Sequence, residues 1–380
     1  MTQLLADVVI IGGGLAGSGA AHAFAKRGLS VTLIEAESHL AAKASGNAWG
    51  LFMPYIATQS SPPGTLYARG FDFSRELFTT NLKELISYHE VGAIQLPATK
   101  RLARLLTEEA PCIGGTSVRR VSVQEGSELA GLPLLTGGFF MPNAGYCKPI
   151  RVTECLAHSS PLISVRVSES VEDVAWDGTT WRITLRSGNH ISSPLVILCG
   201  AHEITKLDIA SWVPLEAIRG QTTQALASTT SSKLRTVISY DGYVTPQCDN
   251  LHFVGAHYRH DDFDTEPKTA DTDEVLARLH RALPATGHLS AVSSRVCFRA
   301  STHDRMPYIG TLPVTTGHNI FLNAGHGSRG LLTAPLGGEV VARIALKESL
   351  ADLSDAAAIA SASRLQKKMP SPPKENRSTQ

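Results

Sequence analysis

Two glycine-rich stretches near opposite ends of this 380-residue chain carry the residue types from which a dinucleotide site is built. Near the N-terminus, Gly12-x-Gly14-x-x-Gly17 follows the apolar run Val8–Ile11, and Glu35 closes a second such run, Val31–Ile34. Gly12 allows a tight turn out of the strand, Gly14 lets the backbone approach a pyrophosphate, and Gly17 lets the next helix pack closely. The first N–H groups of that helix, beginning at Leu15 and Ala16, aim the positive end of its dipole at the phosphates. Glu35 is placed to accept hydrogen bonds from ribose hydroxyls. A glycine triplet alone also occurs in ordinary loops. Strand, glycines, helix, strand and acid in this order specify nucleotide binding, without separating FAD from NAD. The second stretch, Gly325-His326-Gly327-Ser328-Arg329-Gly330-Leu331, would return distant sequence to the same cofactor, which suits a flavin enzyme.

Such residues need elements to hold them. A helix is predicted over 15–27, with the small face Ala16, Ala20, Ala21, Ala23 and Phe24, ended by Gly28. Further helices are predicted over 72–90, 151–159 and 336–346. Residues 171–174, 181–185 and 195–198 read as strands, the last leading into Cys199-Gly200-Ala201, a small turn suited to close approach of a cofactor. Residues 237–244 and 252–257 read as parts of a second sheet, and 320–322 as a short strand before the second glycine-rich turn. The predicted class is α/β: a Rossmann-like FAD-binding domain with a second, mainly antiparallel β substrate domain. If both glycine-rich ends meet one flavin, the FAD-binding domain is discontinuous, drawn from 1–80, 143–218 and 297–362. The substrate domain then comes from 81–142 and 219–296, with 363–380 as a flexible basic tail.

Composition narrows the classes. A hydrophobic content of 43% is ordinary for a globular protein, and a net charge of +1 gives no global field to attract nucleic acid, so any such contact relies on a local patch. No apolar run is long enough to span a bilayer, and the chain enters its first strand without room for a signal peptide. The six cysteines are scattered without CxxC spacing, which argues against a metal site and for reduced thiols in the cytoplasm.

Gly12-x-Gly14-x-x-Gly17 with Glu35, Asp304-x-x-Pro307-x-x-Gly310 and Gly325-His326-Gly327 resemble the D-amino-acid oxidase superfamily of FAD enzymes, which includes glycine and sarcosine oxidases. Ala44-Ser45-Gly46-Asn47-x-x-Gly50-x-x-x-Pro54, Arg219-Gly220-Gln221 and Gly327-Ser328-Arg329-Gly330-Leu331 bring the resemblance closer to the FAD-dependent domain of the bifunctional MnmC family of tRNA-modification enzymes. The resemblance covers about 7–367. It implies FAD held by Gly12, Gly14, Leu15, Ala16, Gly17, Glu35, Ser45, Gly46, Asn47, Gly50, Val171, Gly200, Ala201 and the stretch Gly325, His326, Gly327, Ser328, Arg329, Gly330 and Leu331. It implies oxidative removal of the carboxymethyl group from carboxymethylaminomethyl-(thio)uridine at the tRNA wobble position, releasing glyoxylate. Bifunctional members carry a methyltransferase domain ahead of the oxidase. This chain starts at the flavin fold, so it is expected either to work alone or to serve a different substrate, with a separate methyltransferase as one expected partner.

For catalysis the resemblance implies Arg299 as the carboxylate anchor, with Tyr243 and Arg329 beside it. Each has a plainer alternative. Arg299 could pair with Asp304 or another buried acid, Tyr243 could be a half-buried sheet aromatic, and Arg329 a surface charge. His326 is expected to pack or hydrogen-bond rather than to act as an acid or base, and no catalytic base is assigned. Cys297 stands where sarcosine oxidases attach FAD covalently; a small buried thiol is the preferred reading. The other functional classes are an oxidase for a small free amino acid (glycine, sarcosine or a D-amino acid) and a flavin-binding scaffold without turnover. A basic groove leading to the flavin would favour RNA; a small closed pocket would favour the free amino acid.

Overall fold

Val8–Ile11 is buried on both faces at the centre of a six-stranded sheet, as an unbroken β-branched run requires. In this computed structural model, which describes residues 4–57, 61–80, 82–107, 118–314 and 319–368, the strand order is Tyr308–Thr311, Ile320–Ala324, Val196–Leu198, Val8–Ile11, Val31–Ile34, Ile163–Arg166. All neighbours are parallel except the first pair. The order changes direction between Val8–Ile11 and Val196–Leu198, so a crevice opens where these strands run into Gly12 and Gly200.

Eight α-helices occur among the described residues: α1 Leu15–Ala25, α2 Pro62–Thr80, α3 Lys100–Thr107, α4 Val123–Ala130, α5 Pro149–Ala157, α6 Thr269–Ala282, α7 Gly330–Ala345 and α8 Ser354–Ala360. The small residues of α1 let α7 lie directly on it: a Cβ on Gly338 would sit 2.5 Å from the Ala20 nitrogen. This close approach brings the N-termini of both helices to the same crevice.

The second sheet has eight strands, in the order Ala291–Ser301, Glu216–Leu226, Leu251–Arg259, Gly242–Val244, Val237–Tyr240, Ala93–Gln95, Gly138–Met141, Arg119–Val121. It is antiparallel except where Val237–Tyr240 meets Ala93–Gln95. The class is therefore the predicted one. The boundaries expected at 218/219 and 296/297 fall inside two continuous strands, Glu216–Leu226 and Ala291–Ser301, which pair along their length. Sheet rather than linker joins the two halves.

Other expectations need correction. The helix predicted over 72–90 begins at Pro62, where Ser61 Oγ accepts from Gly64 N and proline is tolerated in the first turn. It ends by Thr80, where the hydroxyls of Thr79 and Thr80 bond back to Arg75 and Glu76 carbonyls. α7 begins at Gly330 rather than 336 and keeps Pro335 inside it, against α1 at Gly19. The expected tail does not start at 363: Leu365 is fully buried and Arg364 donates to the carbonyls of Ile359, Met306 and Pro307. Residues 369–380 lie outside the described residues. No helix among the described residues is long and apolar enough to cross a membrane, and the five cysteines there are free; Cys112 is outside them.

Candidate active site

The crevice widens into a cavity of about 480 Å³ lined from both sheets. Gly12, Gly14, Leu15, Ala16 and Glu35 line it from the N-terminal unit, and Ser45, Asn47 and Gly50 from the segment that follows. Gly200 and Ala201 face them, and Gly325 to Leu331 complete that side. Three expected residues do not line it. Gly17 packs α1 on its strand, since a Cβ there would lie 1.9 Å from the Gly12 carbonyl oxygen. Gly46 closes a 3-10 turn against Ala41. Val171 opens a strand of a separate four-stranded sheet, at a register shift, and does not line the cavity.

The donor set fits FAD. Gly12 has φ +112°, and a Cβ on it would meet Gly200 backbone at 2.7 Å, so only glycine leaves the crevice open. α1 starts after Gly14 and α7 after Arg329, neither capped by the side chain of that preceding residue nor carrying an acid in its first turn. Two positive helix ends at one cavity suit a pyrophosphate. Ser45 Oγ accepts from Leu15 N at 3.1 Å, fixing the segment that carries Asn47. The Glu35 carboxylate accepts from Gly13 N at 2.7 Å and Glu37 N at 2.8 Å. It is thereby held in place, with remaining lone pairs free for ribose hydroxyls.

The strand Ala291–Ser301 brings Cys297 and Arg299 to one face, as alternation demands. Arg299 forms no ion pair among the described residues. Its guanidinium lies 3.6 Å from the Tyr258 ring centroid, and its buried Nε has no partner. Asp304, the alternative partner, is occupied by Thr302, Met306 N and Arg364. Arg329 is held over Tyr55 at 4.5 Å and Tyr67 at 5.0 Å, and burial pulls its guanidinium below the usual range. A guanidinium stays charged nonetheless. Tyr243 lines the same cavity, and burial pushes its phenol well above the ordinary value, so it remains a donor. His326 donates to or accepts from Thr333 Oγ1 through Nδ1 at 2.9 Å, while its Nε2 is buried without a partner. Burial lowers its pKa to about 4, so it is neutral at pH 7. Cys297 lines the cavity 3.9 Å from Asn47 Oδ1, and burial raises its thiol.

Sequence reading missed Tyr258, Tyr55, Arg101 and Arg295. Arg295 donates to Asn47 Oδ1 and to the carbonyls of Ala42 and Lys43, tying the cofactor-side loop to the second sheet. Its place two and four residues before Cys297 and Arg299 was the available signal. Arg219, part of a motif that suggested the family, lies elsewhere: fully buried, it pairs with buried Asp271 at 2.6 Å.

Over residues 7–344 the chain matches the family described as DAO, FAD dependent oxidoreductase. The bifunctional protein MnmC of Chromohalobacter salexigens, named for tRNA 5-methylaminomethyl-2-thiouridine biosynthesis, is 32% identical over 373 residues, covering 88% of this chain and 53% of that protein. The protein of the same name from Chromobacterium violaceum is 31% identical, covering 89% and 56%. The chain thus spans about half the length of these relatives. Among solved structures, glycine oxidase from Geobacillus kaustophilus superposes with a TM-score of 0.80 at 24% identity, covering 93% of this chain and 98% of that one. L-proline dehydrogenase from P. horikoshii gives 0.81 at 19% identity, covering 96% and 99%. These two likenesses are of fold. The dinucleotide crevice and the family match over most of its length agree, and the chain belongs to the DAO family of FAD-dependent oxidoreductases.

Proposed function

We propose that this enzyme oxidises an amine bearing a carboxymethyl unit, and that its substrate is carboxymethylaminomethyl-(thio)uridine at the tRNA wobble position, with glyoxylate released. The observation that carries the first part is the pair Arg299 and Arg329: two guanidiniums without an ion-pair partner among the described residues, in one aromatic-lined cavity beside the flavin cradle. The names of the relatives support the second.

When bound, FAD would accept a hydride from the methylene carbon of R–NH–CH2–COO⁻. The chain supplies position and charge. Arg299 is shaped to take the carboxylate through two parallel hydrogen bonds, and its stacking on Tyr258 limits its rotation. Tyr243 adds a neutral donor, and Arg329 a second positive charge. Neutral His326 adds no charge that would repel the amine. Loss of the hydride and the N–H proton leaves a substrate imine, R–N=CH–COO⁻. Water adds to it and separates glyoxylate from R–NH2. That free amine is a substrate for methyl transfer, so a methyltransferase is the expected partner activity.

Anaerobic single-turnover flavin reduction tests the reading. Carboxymethylaminomethyl-tRNA should bleach the flavin, and glycine and sarcosine should do so far more slowly. Rapid bleaching by a free amino acid with none by the modified tRNA would replace this reading with a small-amino-acid oxidase.

A further inference from the structure

α3 has two faces of opposite chemistry. Leu102 and Leu105 are buried in the cluster that contains Ile56, Phe139 and Met141. Lys100, Arg101 and Arg104 are exposed, and the helix contains no acid. A run of exposed cations is ordinarily a solvated face, but two observations set this one apart. First, α3 is part of the cavity wall, through Arg101 and Leu102. Second, Arg101 and Arg329 lie against the same ring, at 5.4 Å and 4.5 Å from the Tyr55 centroid. Arg329, Tyr55 and Arg101 therefore form a cationic and aromatic track that begins inside the cavity and continues onto Lys100. The track is built in. Arg101 Nη1 donates to the Ile56 carbonyl at 2.9 Å, Thr99 Oγ1 accepts from Leu102 N at the start of α3, and Arg120 Nη2 donates to the Leu105 carbonyl near its end.

We propose that the outer face of α3 docks the phosphates of an RNA strand whose modified base enters the cavity past Tyr55. This rests on the tRNA reading above. A chain with a net charge of +1 has no global attraction for a polyanion, so a local cationic face is what docking needs. An aromatic on the path suits an unstacked base, because single-stranded RNA is held by stacking together with phosphate contacts. A free amino acid needs neither. The acids next in sequence, Glu108 and Glu109, lie outside the described residues.

The test uses the FAD-loaded protein and a fluorescein-labelled anticodon stem-loop RNA, with binding read by anisotropy across a salt series. The variants are K100Q/R101Q and K100E/R101E. The control is R182E/R186E, two exposed positions, one on a strand of the separate four-stranded sheet and one in the turn just after it, both off the cavity wall. Wild type and control should bind alike. The α3 variants should bind at least tenfold more weakly at low salt while keeping their FAD. For the neutral variant, losing two phosphate contacts should lower the slope of log Kd against log salt by about 1.4. If wild type binds and the α3 variants bind equally well, the docking surface is overturned and the tRNA reading stands. Equal loss in the control also overturns it. If wild type binds no RNA even at low salt, both fall.

Discussion

On the proposed reading Arg299 anchors the substrate carboxylate, because its guanidinium lies in the cavity against the Tyr258 ring and has no ion pair among the described residues. A hydrogen bond to a charged group contributes about 1.5–3 kcal/mol, and tenfold in rate corresponds to about 1.4 kcal/mol. Arg299→Ala should therefore lower kcat/KM by at least roughly tenfold with flavin content unchanged, and Arg299→Lys should recover only part of it, having charge without the fork. Flavin reduction at subsaturating substrate reads both; wild-type rates in Arg299→Ala would remove it as the anchor. His326 gives a pH prediction. Its folded pKa of about 4 lies below the ordinary 6.5, so the unfolded chain binds more protons between these values. Stability should be intact above pH 6.5 and fall as pH drops towards 4, by on the order of 3 kcal/mol. In His326→Gln this part of the loss should vanish, shown by a smaller fall in Tm between pH 7 and pH 5 at saturating FAD. At this scale the sequence was half legible. Arg299 and Arg329 stand beside distinctive motifs. Tyr258 and Tyr55 do not, because an aromatic on a strand or loop reads the same whether it packs a core or shelves a guanidinium.

At the scale of elements, the glycines decide where helices sit. Gly14→Asp would set a carboxylate at the start of α1, against the phosphates, and should abolish FAD binding in a folded protein. A normal yellow colour in that variant would contradict the cradle. Gly338→Ala tests the helix pair: its methyl would meet Ala20 backbone at 2.5 Å, so α7 must move off α1. Overpacking of this kind costs about 1–3 kcal/mol. Because both helix ends face the cavity, FAD affinity should weaken together with Tm, and a lower Tm with unchanged affinity would separate the helix contact from the site. Strands and α1 were legible because their burial follows from apolar runs and small faces. α2 and α7 were misplaced where proline intervened. In both cases proline was compatible, in a first turn or on a face packed against another helix, and only tertiary contacts show that.

At the scale of the molecule, two sheets were legible in the sequence, but not how they are joined around the cavity that both line. Glu216–Leu226 and Ala291–Ser301 run unbroken through the expected boundaries and carry Gly220, Thr222, Cys297, Phe298 and Arg299 to the cavity. Arg295 adds a direct tie from the second sheet to the loop bearing Asn47. A cofactor in this cavity touches both halves, so its binding energy should be felt in both. Ligand at 100 times its Kd stabilises the folded state by about 2.7 kcal/mol, and continuous strands allow no half to take that alone. Hydrogen exchange of FAD-free and FAD-loaded protein should show added protection in Val8–Ala25 and equally in the backbone of the two long strands. In Gly14→Asp, added FAD should change neither. Protection confined to the six-stranded sheet would mean that the second sheet opens independently of the flavin. Arg299, carried on that sheet, would then be positioned by substrate rather than in advance of it.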